Sequence, residues 1–284
     1  MKNAAFVALL LCLTLCGAPA YAQGTCTMQN IAGKYALTFT GSSTIVLGPA
    51  ADGYHWMALY GPIAGAGLVD IHADGTATGK YWVVAGTLNH GLTPIPLDGA
   101  VTVNSDCTGS LVFGFGGSTI TQKFVVLGNG REIRAAATET EAPTLNWLSR
   151  AYRIDGACSQ NKLQGTYLFE CRNLYAVPIP PPNIFGGAIH ILATIERGGD
   201  WTGNVYGKVA ADNTEFQAFG HIAWNEDCTA EGTLETAFLP VVSHARGVFF
   251  DDGKRGLWLP LTNTQGDMTM DQPYGYCEIT KIEP

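Results

Sequence analysis

The side chains best placed to do chemistry are two histidines and a carboxylate. Asp70 and His72 stand two residues apart in Gly67-Leu-Val-Asp-Ile-His72, so on a β-strand they share a face. Aligning Gly67 with Gly187 sets His190 opposite Asp70. Turned into an enclosed interior, a carboxylate–imidazole pair is a general base, the carboxylate fixing the ring's orientation. Turned outward it is a solvated face, with Val69 and Ile71 packing inward, and alternation with β-branched residues favours that arrangement. Asp70, His72 and His190 are therefore the catalytic candidates, and the direction of their strands decides between the two. His244 and Arg246 also share a face; they could hold a ligand carboxylate, Arg through its planar fork, and a solvated face explains them equally well. His221, between Phe219 and Trp224, fits a hydrogen-bond network, while His55 and His90 fall in loops without spaced partners. Glu170 and Arg172 flank Cys171, and Glu132 lies between Arg131 and Arg134, a spacing that more often gives exposed ion pairs than a buried acid.

Other chemistries lack their motifs. No Gly-x-Ser-x-Gly elbow and no phosphate-cradling glycine loop occurs. No closely spaced cysteine or histidine pair of the zinc type is present, so neither metal nor cofactor is expected. With 24 acidic against 16 basic residues the net charge is −8. No Lys/Arg cluster exists in the sequence to attract nucleic acid or an anionic membrane. Six tryptophans, eleven tyrosines and twelve phenylalanines supply either a filled core or an apolar pocket, with Trp82 and Trp224 as ligand-lining candidates.

The elements that would position these groups are strands. Short β-branched and aromatic runs such as Tyr35–Phe39, Lys80–Val84 and Phe124–Leu127 alternate with the turn signals Asp52-Gly53, Asp74-Gly75, Asp98-Gly99, Asn129-Gly130 and Asp252-Gly253. The nearest helix candidate is 144–152, around Trp147-Leu148. The class is all-β.

The pattern Cys, six residues, Gly, one residue, Tyr occurs at Cys26–Tyr35 and again at Cys158–Tyr167, and Asp106-Cys107-Thr108 returns as Asp227-Cys228-Thr229. Thr76–Gly79 likewise matches Asp200–Gly203, and Tyr152–Ile154 matches Cys277–Ile279. Such self-similarity marks two copies of one unit, 23–156 and 157–284, joined by a very short linker and so expected to touch. Residues 1–22 read as a Sec-type signal peptide: Lys2, an apolar run, and Ala20-Tyr-Ala22 before the cleavage point. No later stretch is long and apolar enough for a membrane helix, so the chain is expected to be secreted or periplasmic.

Of eight cysteines, Cys12 and Cys16 fall in the leader. An even remainder in an exported chain reads as disulfides, for which order alone allows 15 connectivities. The repeat pairs Cys26 with Cys107 and Cys158 with Cys228, leaving Cys171 for Cys277. Because a disulfide needs Cα atoms within about 7 Å, the first and last strands of unit two become neighbours, as in a closed up-and-down barrel. In unit one Phe39 and Tyr152 are expected to replace that bridge as a cross-strand pair. About eight strands per barrel would leave an interior packed, or just able to hold one small ligand.

Gly33, Tyr35, Asp74-Gly75, Gly79, Asp106-Cys-Thr-Gly109 and Gly130-Arg-Glu-Ile133 resemble a group of uncharacterised exported bacterial proteins, which is in turn similar to the allene oxide cyclase-type barrel, a relative in shape of the lipocalins. That resemblance implies a barrel, in some members with an apolar cavity serving a cyclase, and supplies no catalytic position here. The expectation is two tandem small antiparallel barrels in contact, binding a small lipophilic ligand at mouths formed by 41–65 and 172–186. The alternatives are an isomerase or cyclase using Asp70, His72 or His190, and a structural or surface-interaction protein with filled barrels.

Overall fold

A computed structural model describes residues 25–47, 57–85, 92–115, 118–140, 145–172, 187–209, 212–237, 241–265, 268–271 and 275–282. Period-two apolar alternation becomes antiparallel strand throughout. β1 (Gly33–Leu47), β2 (Met57–Ile71), β3 (Thr76–Ala85), β4 (Ile95–Val103), β5 (Thr108–Phe115), β6 (Ser118–Leu127), β7 (Glu132–Thr140) and β8 (Leu145–Arg153) follow one another around a closed barrel, with β8 pairing back onto β1. Then come β9 (Gly165–Arg172), β10 (Gly187–Ile195), β11 (Asp200–Val209), β12 (Asp212–Trp224), β13 (Thr229–Thr236), β14 (Val242–Phe250), β15 (Arg255–Gln265), β16 (Met268–Asp271) and β17 (Tyr276–Ile282). β14 pairs with β15, β15 with β17 and β17 with β9, closing a second ring of eight, while β16 folds back on β15 outside it.

The repeated cysteine–glycine–tyrosine segment plugs one end of each barrel. In the first, Thr27 caps a single helical turn, α1 (Met28–Ile31), that carries Ile31 fully into the core. The second has a 3₁₀ turn, Gln160–Leu163, that does the same with Leu163. Disulfides Cys26–Cys107 and Cys158–Cys228 anchor the plugs. Gly33 and Gly165 follow at φ 144° and 141°, a conformation costly for any residue with a Cβ. Tyr35 Oη lies 2.8 Å from the carbonyl oxygens of both Ile31 and Gly130, and its one proton serves them jointly. Tyr167 donates to Gly253 O at 3.0 Å. From the last strands, Arg153 donates to the Asn30 and Ala32 carbonyls, and Lys281 to those of Lys162 and Gln164.

The Asp-Cys-Thr repeat is a turn clasp. Asp106 and Asp227 each accept bonds from the N–H and hydroxyl of the threonine two residues on, at 3.0 and 2.6 Å. They hold Cys107 and Cys228 at φ 67° and 74°. The Thr108 hydroxyl and then its N–H lower the Asp106 pKa. For Asp227 burial pushes upward, but bonds from Lys80 and Thr229 outweigh it and leave the pKa lowered.

Several expectations change. Cys171 and Cys277 face each other across β9–β17 and are bonded, but the first barrel has no Phe39–Tyr152 pair. Phe39 faces Ser149 and Tyr152 faces Ala36. Phe39 points into the core and Tyr152 out, so the two can never meet across one wall. The matching bonds of Arg153 and Lys281 make Ser149, not Tyr152, the counterpart of Cys277. Residues 145–152 are strand, not helix, because Trp147, Ser149 and Ala151 are buried while Leu148 and Arg150 are exposed. Asp98-Gly99 sits inside β4, and much of 41–65 belongs to β1 and β2. The Asp52-Gly53 turn, His55, His90 and the rim segments 48–56 and 173–186 lie outside the described residues.

Candidate functional site

The walls decide where each candidate side chain goes. Gly33 pairs with Ile71 and Gly165 with Ile195, which makes Asp70 the counterpart of Thr194 rather than His190. Val69 and Ile71 are buried, and Asp70 and His72 lie on the outer face, His72 Nε2 being 3.1 Å from Thr78 Oγ1. His190 also faces outward, with Nε2 3.9 Å from Glu170. His221 Nδ1 meets Asp200 Oδ1 at 2.8 Å on the exposed surface. Arg246 is held by Glu231 at 3.0 Å, so its fork is already engaged, and His244 lies between Thr233 and Thr262 on the same face. The fold thus keeps Asp70–His72, His190 and His244–Arg246 on separate strands, and among the described residues none of them lines a shared cavity.

The two tryptophans separate in the same way. Trp82 is buried outside its barrel, in a cluster with Ala36, Ala66, Leu68, Val248 and Phe250, and donates to Leu92 O at 3.0 Å. Trp224 is buried inside the second barrel against Phe249, beside Gly253 at the plugged end.

Inside the first barrel, Phe39, Tyr81, Phe113, Ile120 and Trp147 fill much of the space. Among the described residues, a cavity of about 30 Å³ is lined by Leu37, Val69, Ile133, Ala151 and the hydrogen-bonded pair Gln122–Ser149. That is room for roughly one water. Burial alone lifts the Tyr81 and Tyr167 hydroxyls far above their ordinary range.

Among the described residues a second hollow lies on the outside. An open depression of about 670 Å³ lies over β4–β8. One transverse row across it reads Ser110, Lys123, Ala136, Leu148, and the next reads Thr108, Val125, Arg134, with Arg150 opposite Arg134 just beyond its edge. Leu148 is 65 % exposed, the most exposed large apolar side chain among the described residues, and Val125 is 43 % exposed. Small Ala136 keeps the floor low between them. A smaller groove of about 150 Å³ continues past Arg150 to Tyr152, Phe250 and Arg255. Sequence reasoning missed these residues, although the alternation at 145–152 carried the signal that Leu148 and Arg150 share a face opposite Trp147.

No family model and no curated protein matches the chain. Among solved structures it is similar to a protein of unknown function from the DUF3598 family of Nostoc punctiforme PCC 73102. The two share 8 % identity over 90 % of this chain and 97 % of that one, with a TM-score of 0.25. It is also similar to Burkholderia oklahomensis agglutinin, at 12 % identity over 86 % and 95 % of the two chains, with a TM-score of 0.16. Likenesses at this level transfer neither residue roles nor activity.

Proposed function

We propose that this chain is an exported binding protein that takes a small, mostly apolar molecule on the outer face of its first barrel. The observation that carries this is the open depression of about 670 Å³ on the outer face, lined by exposed Leu148 and Val125. Ligand sites ordinarily measure ~300–1,000 Å³. Export rests on the leader at 1–22 and agrees with three disulfides. Contact between the two units is supported by the Trp82–Phe250 cluster and the Lys80–Asp227 bridge of 2.7 Å. Asp70, His72 and His190, directed outward, give no enclosed base, so an isomerase has no support from them. A second reading, a surface-interaction protein with filled barrels, is favoured by the packing of Trp147, Tyr81 and Phe39.

Titrating the mature protein with a neutral hydrophobic fluorophore separates the two. The binding reading expects one saturable site that Leu148→Asp weakens about tenfold, as expected for burying a charge in place of a leucine. Binding that survives Leu148→Asp unchanged, or no saturable binding at all, overturns it.

A further inference from the structure

Three cations, Lys123, Arg134 and Arg150, border the apolar floor of this depression, and one acid, Glu132, is bonded to Arg134. Arg134 and Arg150 stand directly opposite each other on β7 and β8, an arrangement that costs energy when left uncompensated. Lys123, in the neighbouring row, is exposed and pairs across the sheet with Ala136 rather than with an acid. Glu132 bonds Arg134 Nε at 2.7 Å, which leaves that guanidinium's terminal nitrogens undirected by this contact. Arg150 has no acidic residue as a cross-strand neighbour, since Thr38 and Arg134 flank it. In a chain with eight more acids than bases, three cations around an exposed leucine and valine, without an acid in either row, are not what average composition supplies.

We propose that the ligand is an anionic amphiphile, a monomeric aliphatic carboxylate. Its chain lies along Leu148, Ala136 and Val125, and its carboxylate sits between Arg134 and Arg150 with Lys123 alongside. The inference rests on the reading above and adds the head group. An Arg fork matches two carboxylate oxygens, and a bound carboxylate converts the Arg134–Arg150 opposition from repulsive to bridging. One acyl chain and one charge match the size of the depression.

The test compares pyrene-labelled dodecanoate with its methyl ester on the mature protein, below the micellar range. The proposal expects the carboxylate to bind about tenfold tighter than the ester, the scale of one charge-assisted pairing. Arg150→Gln removes that preference and leaves ester binding within about twofold, while Arg150→Lys restores part of it; tryptophan fluorescence checks that each variant folds. Equal affinity for acid and ester overturns the head-group inference and leaves the apolar site standing. Failure of both probes overturns the site itself. Co-sedimentation with phosphatidylglycerol vesicles, without a preference for the free carboxylate, also overturns the proposal and assigns the face to a membrane surface.

Discussion

Tyr35 and Tyr167 show how much a single atom does here. Each hydroxyl is buried and reaches the carbonyl of a glycine in a turn distant in sequence. Tyr35→Phe preserves the packing but leaves the Ile31 and Gly130 carbonyls without that donor. The expected loss is about 1–3 kcal/mol in urea denaturation, from the stranded acceptors, with a smaller loss for Tyr167→Phe, which strands only one. The repeat made these tyrosines visible in the sequence, because Cys, Gly and Tyr recur at fixed spacing. Their partners were not visible, since Gly130 and Gly253 come near only after the barrels close. The same limit applies to Arg150, whose neighbours Arg134 and Thr38 lie on other strands.

At the level of elements, β8 and β17 occupy the same place in their barrels and solve closure differently. β17 is bonded to β9 through Cys277–Cys171, whereas β8 meets β1 with Ser149 opposite Phe39. Replacing Cys171 and Cys277 with serine is expected to cost about 2–5 kcal/mol. The β9–β17 ladder should persist, because the first barrel closes at the equivalent position without a bridge. Thermal unfolding of the double variant, with hydrogen exchange at Phe169 and Ile279, checks both statements. The outer face of β8 carries the candidate site. Two-residue alternation explains why it was hidden within the nearest helix candidate: Trp147, Ser149 and Ala151 mark one wall only once the strand is recognised.

For the whole molecule, the Lys80–Asp227 bridge joins residues of the two units at 2.7 Å, with both side chains about one-third exposed. Solvent at such a position limits the pair to less than about 1 kcal/mol. Asp227 has a lowered pKa. Its contribution is therefore present above the unfolded carboxyl value of about 3.9 and lost as pH falls through the lower folded value. The difference in urea midpoint between wild type and Asp227→Asn should be largest at neutrality and narrow as pH falls from about 7 to about 3. A constant separation at both would mean that the carboxylate's charge contributes nothing.

What the amino-acid order determined by itself was everything expressed through local spacing or repetition. The all-β class followed from alternation and turn residues, the duplication from the recurring cysteine–glycine–tyrosine segment, and the disulfide pairs from equivalence between copies. Tertiary structure alone decided the register and the side of each wall. A strand's two faces differ only by which neighbours they meet, so the sequence could not tell whether Asp70 and His72 faced a cavity, or that Tyr152 lay outside while Phe39 lay inside. Nor could it bring Lys123, Arg134 and Arg150 together, because that juxtaposition exists only when three strands are laid side by side.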